Sequence, residues 1–286
     1  MVDNKRPLIF ALSPAVPPSN ALNIPAIAAA LDACGGLARR FNVDVLTECD
    51  SSNSHLMTKA EAGAPSGTVI VAERQTAGRG RRGRSWLSAP GDSLTFSLLW
   101  RFPANTPLAG LSLAVGVALA RAFEAMGIKD IALKWPNDVL LHERKLAGIL
   151  VELVSGPPVE RSHAAIIGIG VNLRLSADLP DDIRTNAASL DDANIRLPDV
   201  NTLLARLLAE LYEQLEAFLH AGFSATRTEW LQRNAHADQP VRLLADFAEP
   251  LDGICRGVAE DGALLLETAH GTQRIISGEV SLRPRT

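Results

Sequence analysis

The sequence predicts an α+β protein, with interleaved strands and helices over residues 20–237 and a small β-barrel over residues 238–286. Three observations predict it. Short apolar runs such as Thr68-Val69-Ile70-Val71-Ala72 and Leu94-Thr95-Phe96-Ser97-Leu98-Leu99-Trp100 have the length and composition of buried strands. Other stretches carry helical periodicity. The clearest runs from Asn201 to His220, where Leu203, Leu204, Leu207, Leu208, Leu211, Leu215, Phe218 and Leu219 form one apolar stripe. From Gln239 the texture changes to about five brief strand-like runs, with turns at Glu260-Asp261-Gly262 and His270-Gly271.

In chain order, residues 1–19 read as a proline-containing tail, expected to be poorly ordered. Asn23 caps a short helix with Pro25 near its start and Gly35-Gly36 as its stop. Phe41 to Leu46 alternates as a strand should. Asp50-Ser51-Ser52-Asn53-Ser54 then reads as a helix N-cap, and such a junction also presents free N–H groups and short polar side chains to a ligand. A helix is predicted from Thr106-Pro107 to Gly127, apolar on nearly every face. Residues 131–141 read as a strand, a Pro136-Asn137-Asp138 turn or bulge, and a continuation. Strands follow over 145–152 and 164–173. Gly168-Ile169-Gly170 lies within the second of these rather than before a helix, which excludes a dinucleotide fingerprint. A short helix around Asp182 to Leu190 and a last one capped by Ser224 complete the larger unit.

Composition narrows the functional classes. The chain has 286 residues, 47 % hydrophobic and 21 % charged, with a net charge of -4. A protein living on nucleic acid is more often basic overall. Cys34, Cys49 and Cys255 are too few and scattered for a disulfide framework or a zinc site, which fits a reducing cytosol. Pro14, Pro17 and Pro18 interrupt the early apolar run that resembles a secretory signal, and the longest apolar segment, Leu108 to Ala120, is shorter than the ~20 residues that span a bilayer.

The chemistry concentrates in Gly78-Arg79-Gly80-Arg81-Arg82-Gly83-Arg84-Ser85-Trp86. Three glycines supply backbone freedom, and four arginines supply forks of donors for phosphate or carboxylate. A disordered basic linker touching RNA is the plainer reading of this stretch alone. Its place between two core strands argues instead for a lid over a small anionic ligand. Gln75, at the end of the entering strand, offers two donors and an acceptor. Lys145 leads an apolar strand, as an edge charge or a ligand contact would.

The ordered series Asp50-Ser51-Ser52-Asn53, Gln75 to Trp86, Lys134-Trp135-Pro136-Asn137-Asp138, Lys145 to Glu152 and Gly168-Ile169-Gly170-Val171-Asn172 resembles the motifs of bacterial biotin–protein ligases. The tail, Gly257 to Glu267 with Ser277-Gly278-Glu279-Val280-Ser281-Leu282, resembles the C-terminal SH3-like barrel of that family. The resemblance implies a mixed sheet with helices, related to class II aminoacyl-tRNA synthetases and lipoate ligases. It implies that ATP, with Mg²⁺ bridging its phosphates, activates biotin as biotinyl-adenylate. A lysine of a biotin carboxyl carrier domain then takes the biotin.

By motif position, the resemblance puts Ser51, Ser52, Asn53, Gln75, Arg79, Gly80, Arg81 and Lys145 on biotin. Arg81, Arg84, Asn137 and Asn172 face the nucleotide, Arg81 and Lys145 serve catalysis, and no residue is assigned as a metal ligand. Asp138 is left between Mg²⁺ and the incoming amine. Ser52 stands where the family usually has threonine, and residues 174–190 hold no aromatic to cover adenine. Fewer than fifty residues precede Asp50, so no winged-helix domain and no DNA binding are expected. Members of the family often pair through sheet edges, and a homodimer stays open here. A lipoate–protein ligase, an Arg/Gly-loop nucleic-acid-binding module and a non-catalytic binding partner remain the alternatives.

Overall fold

The computed structural model describes residues 21–155, 162–177, 179–245, 248–276 and 280–284. The expected tail over 1–19 and the motif residues Ser277-Gly278-Glu279 lie outside the described residues.

Helix α1 (Ile24–Ala33) starts as expected, with the Asn23 side chain accepting from the Ala26 N–H. Strand β1 (Asn42–Cys49), helix α2 (Ser52–Glu61) and strand β2 (Thr68–Gln75) form one crossover unit, and β1 and β2 pair in parallel. Strands β3 (Ser93–Pro103), β4 (Ile131–Lys134), β5 (Asp138–Leu141), β6 (Arg144–Ser155) and β7 (Ser162–Asn172) add antiparallel pairs. The seven-stranded sheet runs β1-β2-β3-β7-β6-β5-β4.

Strand alternation divides this sheet into two unlike faces. On β3, Leu94, Phe96, Leu98, Trp100 and Phe102 join the main core with α3 (Leu111–Ala125) and α5 (Val200–Ala221). Burying a side chain of this size stabilises by roughly 1.5–3 kcal/mol. Leu99 points the other way, into a small core with Leu56, Ala60, Ile70 and Ile166 beneath α2. The period of two puts Thr95 and Ser97 of β3, and Gly168 and Gly170 of β7, on that second face. Beyond the reach of α2 this face is polar or side-chain-free, and the site forms there.

Three expectations change. Residues 131–141 form a hairpin, with Ile131 opposite Leu141, because Trp135-Pro136-Asn137 reverses the chain instead of continuing it. Helix α3 begins at Leu111 rather than near Pro107. Gly110, at φ 78, is its N-cap, and a Cβ there would meet Phe223 at 2.6 Å. The Ser224 hydroxyl donates to the Ala221 carbonyl, so α6 (Arg227–Gln232) starts after Thr226 instead.

Helix α4 (Asp181–Asn186) falls in the polar stretch before α5. Strands β8 (Pro240–Ala245), β9 (Ala248–Val258), β10 (Leu264–Thr268), β11 (Gly271–Ile275) and β12 (Val280–Pro284) make an antiparallel sheet ordered β11-β10-β9-β8-β12. The Trp135 indole N–H donates to the Gly262 carbonyl at 3.1 Å, which fixes the β4–β5 turn against this unit. Among the described residues no helix is long and apolar enough to cross a membrane.

Candidate active site

The N-terminus of α2 supplies the first wall. Ser51, Ser52 and Asn53 are 3 %, 4 % and 3 % exposed. Ser51 occupies the N-cap position without a side-chain cap bond. The Gln75 Oε1 takes over part of that role, accepting from the Ser52 N–H at 2.7 Å and the Ser52 hydroxyl at 3.0 Å. A helix start therefore closes on a side chain from β2 rather than on its own cap.

Asn53 is held from two sides. Its Oδ1 accepts from the Ser97 hydroxyl at 2.5 Å, and its Nδ2 donates to Glu152 Oε2 at 2.8 Å. Close approach requires glycine beside it, since a Cβ on Gly168 would lie 2.3 Å from Asn53 Oδ1. Gly170 serves Trp86 in the same way, since a Cβ there would lie 2.3 Å from the indole ring. The Trp86 Nε1 is buried and has no hydrogen-bond partner among the described residues.

The Arg/Gly loop arches over this floor. Gly80 N–H donates to Arg84 O at 2.7 Å and Trp86 N–H to Gly78 O at 2.8 Å, while Arg82 and Gly83 turn the tip with φ of 60° and 66°. Arg79 leaves the arch to pair with Glu152 at 2.7 Å. Arg81 reaches Asn137 Oδ1 at 3.3 Å. Burial holds the Arg81 guanidinium below its usual range, Asp138 opposes that, and Arg82 and Arg84 add to it. Lys145 Nζ lies 2.6 Å from Asp138 Oδ1 and 5.7 Å from the centre of the Trp86 ring. Burial likewise lowers the Lys134 ammonium, with Asp138 opposing.

Two cavities meet under the arch. The smaller, about 60 Å³, is lined by Ser51, Ser52, Asn53, Gln75, Arg79, Gly80, Arg81 and Lys145. The larger cleft, about 810 Å³, extends past Arg84 to Asp261, Gly262 and Ala263 in the turn between β9 and β10. Arg79, Gly80, Arg81 and Asn137 line both. Asn172 lines neither. Its amide N–H groups donate to the carbonyls of Lys145 at 3.1 Å and Ala188 at 2.9 Å, so it anchors the backbone that carries Lys145.

Sequence reasoning assigned no role to Thr95, Ser97, Glu152 or Trp86. All but Ser97 and Glu152 line the smaller cavity, Glu152 lines the cleft, and Ser97 stands directly behind Asn53. Parity along β3 was the available signal, since Ser93, Thr95 and Ser97 alternate with large apolar residues.

Among the described residues no three His, Cys, Asp or Glu side chains converge on a metal position. The carboxylates here are Glu152 and Asp261, on the cleft wall, the latter paired with Arg274, and Asp138, beside Lys145. That donor set fits magnesium carried by a polyphosphate, because Mg²⁺ keeps its waters and phosphate oxygens and takes one or two carboxylates. The arrangement as a whole offers a polar pocket for a small neutral ring, a cluster of cations for crowded negative charge, and an adjoining cleft for a larger anion.

Comparisons with known proteins agree with this geometry. Residues 46–172 match the biotin/lipoate A/B protein ligase family, and residues 236–283 match the biotin protein ligase C terminal domain. The chain is 40 % identical over 243 residues to the bifunctional ligase/repressor BirA of Salmonella typhimurium, covering 85 % of this chain and 74 % of that protein. It is 34 % identical to the biotin–[acetyl-CoA-carboxylase] ligase of Paracoccus denitrificans, covering 82 % and 98 %. The structure of the biotin protein ligase from Aquifex aeolicus in complex with biotin and ATP superposes with a TM-score of 0.72 at 33 % identity, covering 85 % of this chain and 99 % of that one.

Proposed function

The chain belongs to the biotin protein ligase family, and from that premise we propose that it joins biotin to a lysine of a biotin carboxyl carrier domain through biotinyl-5′-AMP. The observation that carries this reading is the junction of the two cavities, where Arg79, Arg81 and Asn137 line both and Lys145 stands at the inner one. A carboxylate and a triphosphate can meet there only if their charge is offset, and preorganised cations in a partly dry site supply that.

In the first step a biotin carboxylate oxygen attacks the α-phosphorus of ATP, and the bond to the bridging oxygen breaks to release pyrophosphate. In the second, the carrier lysine amine attacks the acyl carbon, and AMP leaves. Neither step asks a side chain for covalent work, so positioning dominates. Ser51, Ser52, Asn53 and Gln75 offer the mixed donors and acceptors that a ureido ring needs. Lys145 faces the biotin carboxylate, with Asp138 holding its ammonium in place. Arg84 and Asn137 face the nucleotide, and Asn172 steadies the Lys145 backbone. Magnesium, brought in with ATP, would be held by the phosphates with Asp138 as protein oxygen, and it would neutralise phosphate charge.

Label transfer tests the reading. With labelled biotin, ATP, Mg²⁺ and a carrier domain, label is expected on the carrier lysine and none once the magnesium is chelated. Transfer of lipoate but not biotin would support the lipoate ligase instead, and retention of RNA without any transfer would support the nucleic-acid module.

Substitution at the floor gives an independent check. Gly168→Ala places a methyl 2.3 Å from Asn53 Oδ1, so Asn53 has to swing out of its Ser97 and Glu152 contacts. Biotin affinity is expected to fall about tenfold or more, the equivalent of one lost buried hydrogen bond. Calorimetry showing unchanged biotin binding in a folded variant would remove Asn53 from the biotin site.

A further inference from the structure

One oxygen joins the loop to the pocket. Glu152 Oε2 accepts from the Arg79 guanidinium at 2.7 Å and from Asn53 Nδ2 at 2.8 Å. Arg79 belongs to the arch, Asn53 to the first turn of α2, and Glu152 to β6. Behind Asn53 the contacts continue through the Ser97 hydroxyl to Ser52, 2.8 Å away, and on to Gln75.

An ionised carboxylate only accepts hydrogen bonds. It therefore requires Asn53 to turn its NH₂ toward Glu152 and its carbonyl oxygen toward Ser97. The same charge draws the Arg79 fork down onto β6. The Glu152 side chain is 24 % exposed and that of Arg79 is 39 % exposed, so as an isolated surface pair they would contribute little. Sharing the oxygen with a 3 % exposed amide changes this, because among the described residues the other acceptor of Asn53 Nδ2, the Leu150 carbonyl, is 3.4 Å away.

We propose that Glu152 is a positioning residue that latches the 78–84 arch to the ring pocket and fixes the orientation of the Asn53 amide, so that loop closure and ring binding are a single event. The proposal rests on the biotin ligase reading and names a residue that this reading does not require. The Glu152 carboxylate bonds the loop and the first turn of α2, and Lys145 pairs with Asp138 instead, so the effect of Glu152 falls on retention of the ring and the adenylate more than on the bond-forming step.

Glu152→Gln keeps the shape, removes the charge and introduces a donor that competes with Asn53 and Arg79. Charge-assisted bonds are roughly twice as strong as neutral ones, so biotin dissociation is expected to quicken about tenfold. The KM for biotin should rise by a similar factor while kcat at saturating biotin changes less than about threefold, and hydrogen exchange across 78–84 in the biotin complex should approach that of the free protein. Arg79→Gln breaks the same latch from its exposed end and should give the same loop exchange. The double variant should be no worse than the more affected single one, since both remove one shared contact. A biotin KM within twofold of wild type with wild-type loop exchange in either variant would overturn the latch, as would effects that multiply in the double variant. Failure of the wild-type chain to bind biotin would instead remove the ligase reading itself.

Discussion

Lys145→Ala is expected to lower biotin adenylation by about 10²–10³-fold with the fold intact, the scale of losing one preorganised charge stabiliser. The Lys145 side chain is 37 % exposed and sits at the first residues of β6, so its removal opens no core cavity. Two losses coincide in the site. The ammonium that faces the carboxylate disappears, and Asp138, 21 % exposed, is left unpartnered by its 2.6 Å cation where a triphosphate has to approach. Lys145→Arg restores charge without restoring shape. A Cβ on Gly148 would lie 3.0 Å from the Lys145 Nζ, which marks how closely that ammonium hugs β6, and a planar guanidinium is too broad to follow it. ATP–pyrophosphate exchange in the presence of biotin reads the effect, and thermal unfolding checks the fold. Wild-type exchange in the alanine variant would leave Lys145 as a surface partner of Asp138.

Arg81→Gly is expected to release the adenylate about ten to a hundred times faster, with little change in thermal stability. The range corresponds to one charge-assisted bond of roughly 1.5–3 kcal/mol, at 1.4 kcal/mol per tenfold. Arg81 lines both cavities and contacts Asn137 across them, so it ties the arch to the β4–β5 turn. Its half-buried guanidinium already resists desolvation, with Arg82 and Arg84 adding repulsion, and an anion beneath it would relieve both. Glycine removes the contact and adds backbone freedom, at ~1–2 kcal/mol for each residue that closure must order. The adenylate should then escape into water and acylate unintended amines. Hydrogen exchange over 78–84 with and without biotin should show ligand-dependent protection in the wild type and far less in the variant. Equal and strong protection in both states of the wild type would mean a rigid loop and no lid.

Much of this was legible in the sequence because the site is written in residue types that have few other uses at those places. A run of glycine and arginine between two core strands, and a Ser-Ser-Asn start to a helix, stand out against their surroundings. Ser97 and Glu152 do not. A hydroxyl in the middle of β3 reads like any satisfied core serine, and a glutamate near the end of β6 reads like a solvated charge. Their roles appear only when parity puts both on the face that α2 leaves open, opposite Asn53. The family resemblance put Asn172 on the nucleotide, and the structure adds a part that no motif announced, since its N–H groups donate to the Lys145 and Ala188 carbonyls. The turn at Pro136-Asn137 was legible, but the pairing of β5 back onto β4 was not, because each is four residues long and together they read as one interrupted strand.

The central claim is that the cations at the junction of the two cavities serve attack of a biotin carboxylate on the α-phosphorus of ATP. Product analysis without any carrier domain tests it most directly. With α-labelled ATP, Mg²⁺ and biotin, the protein should release about one pyrophosphate per site in a rapid burst, retain a biotinyl-AMP adduct, and then slow to the rate at which that adduct escapes. Pyrophosphate release that does not depend on biotin, or formation of ADP and phosphate in its place, would contradict the account.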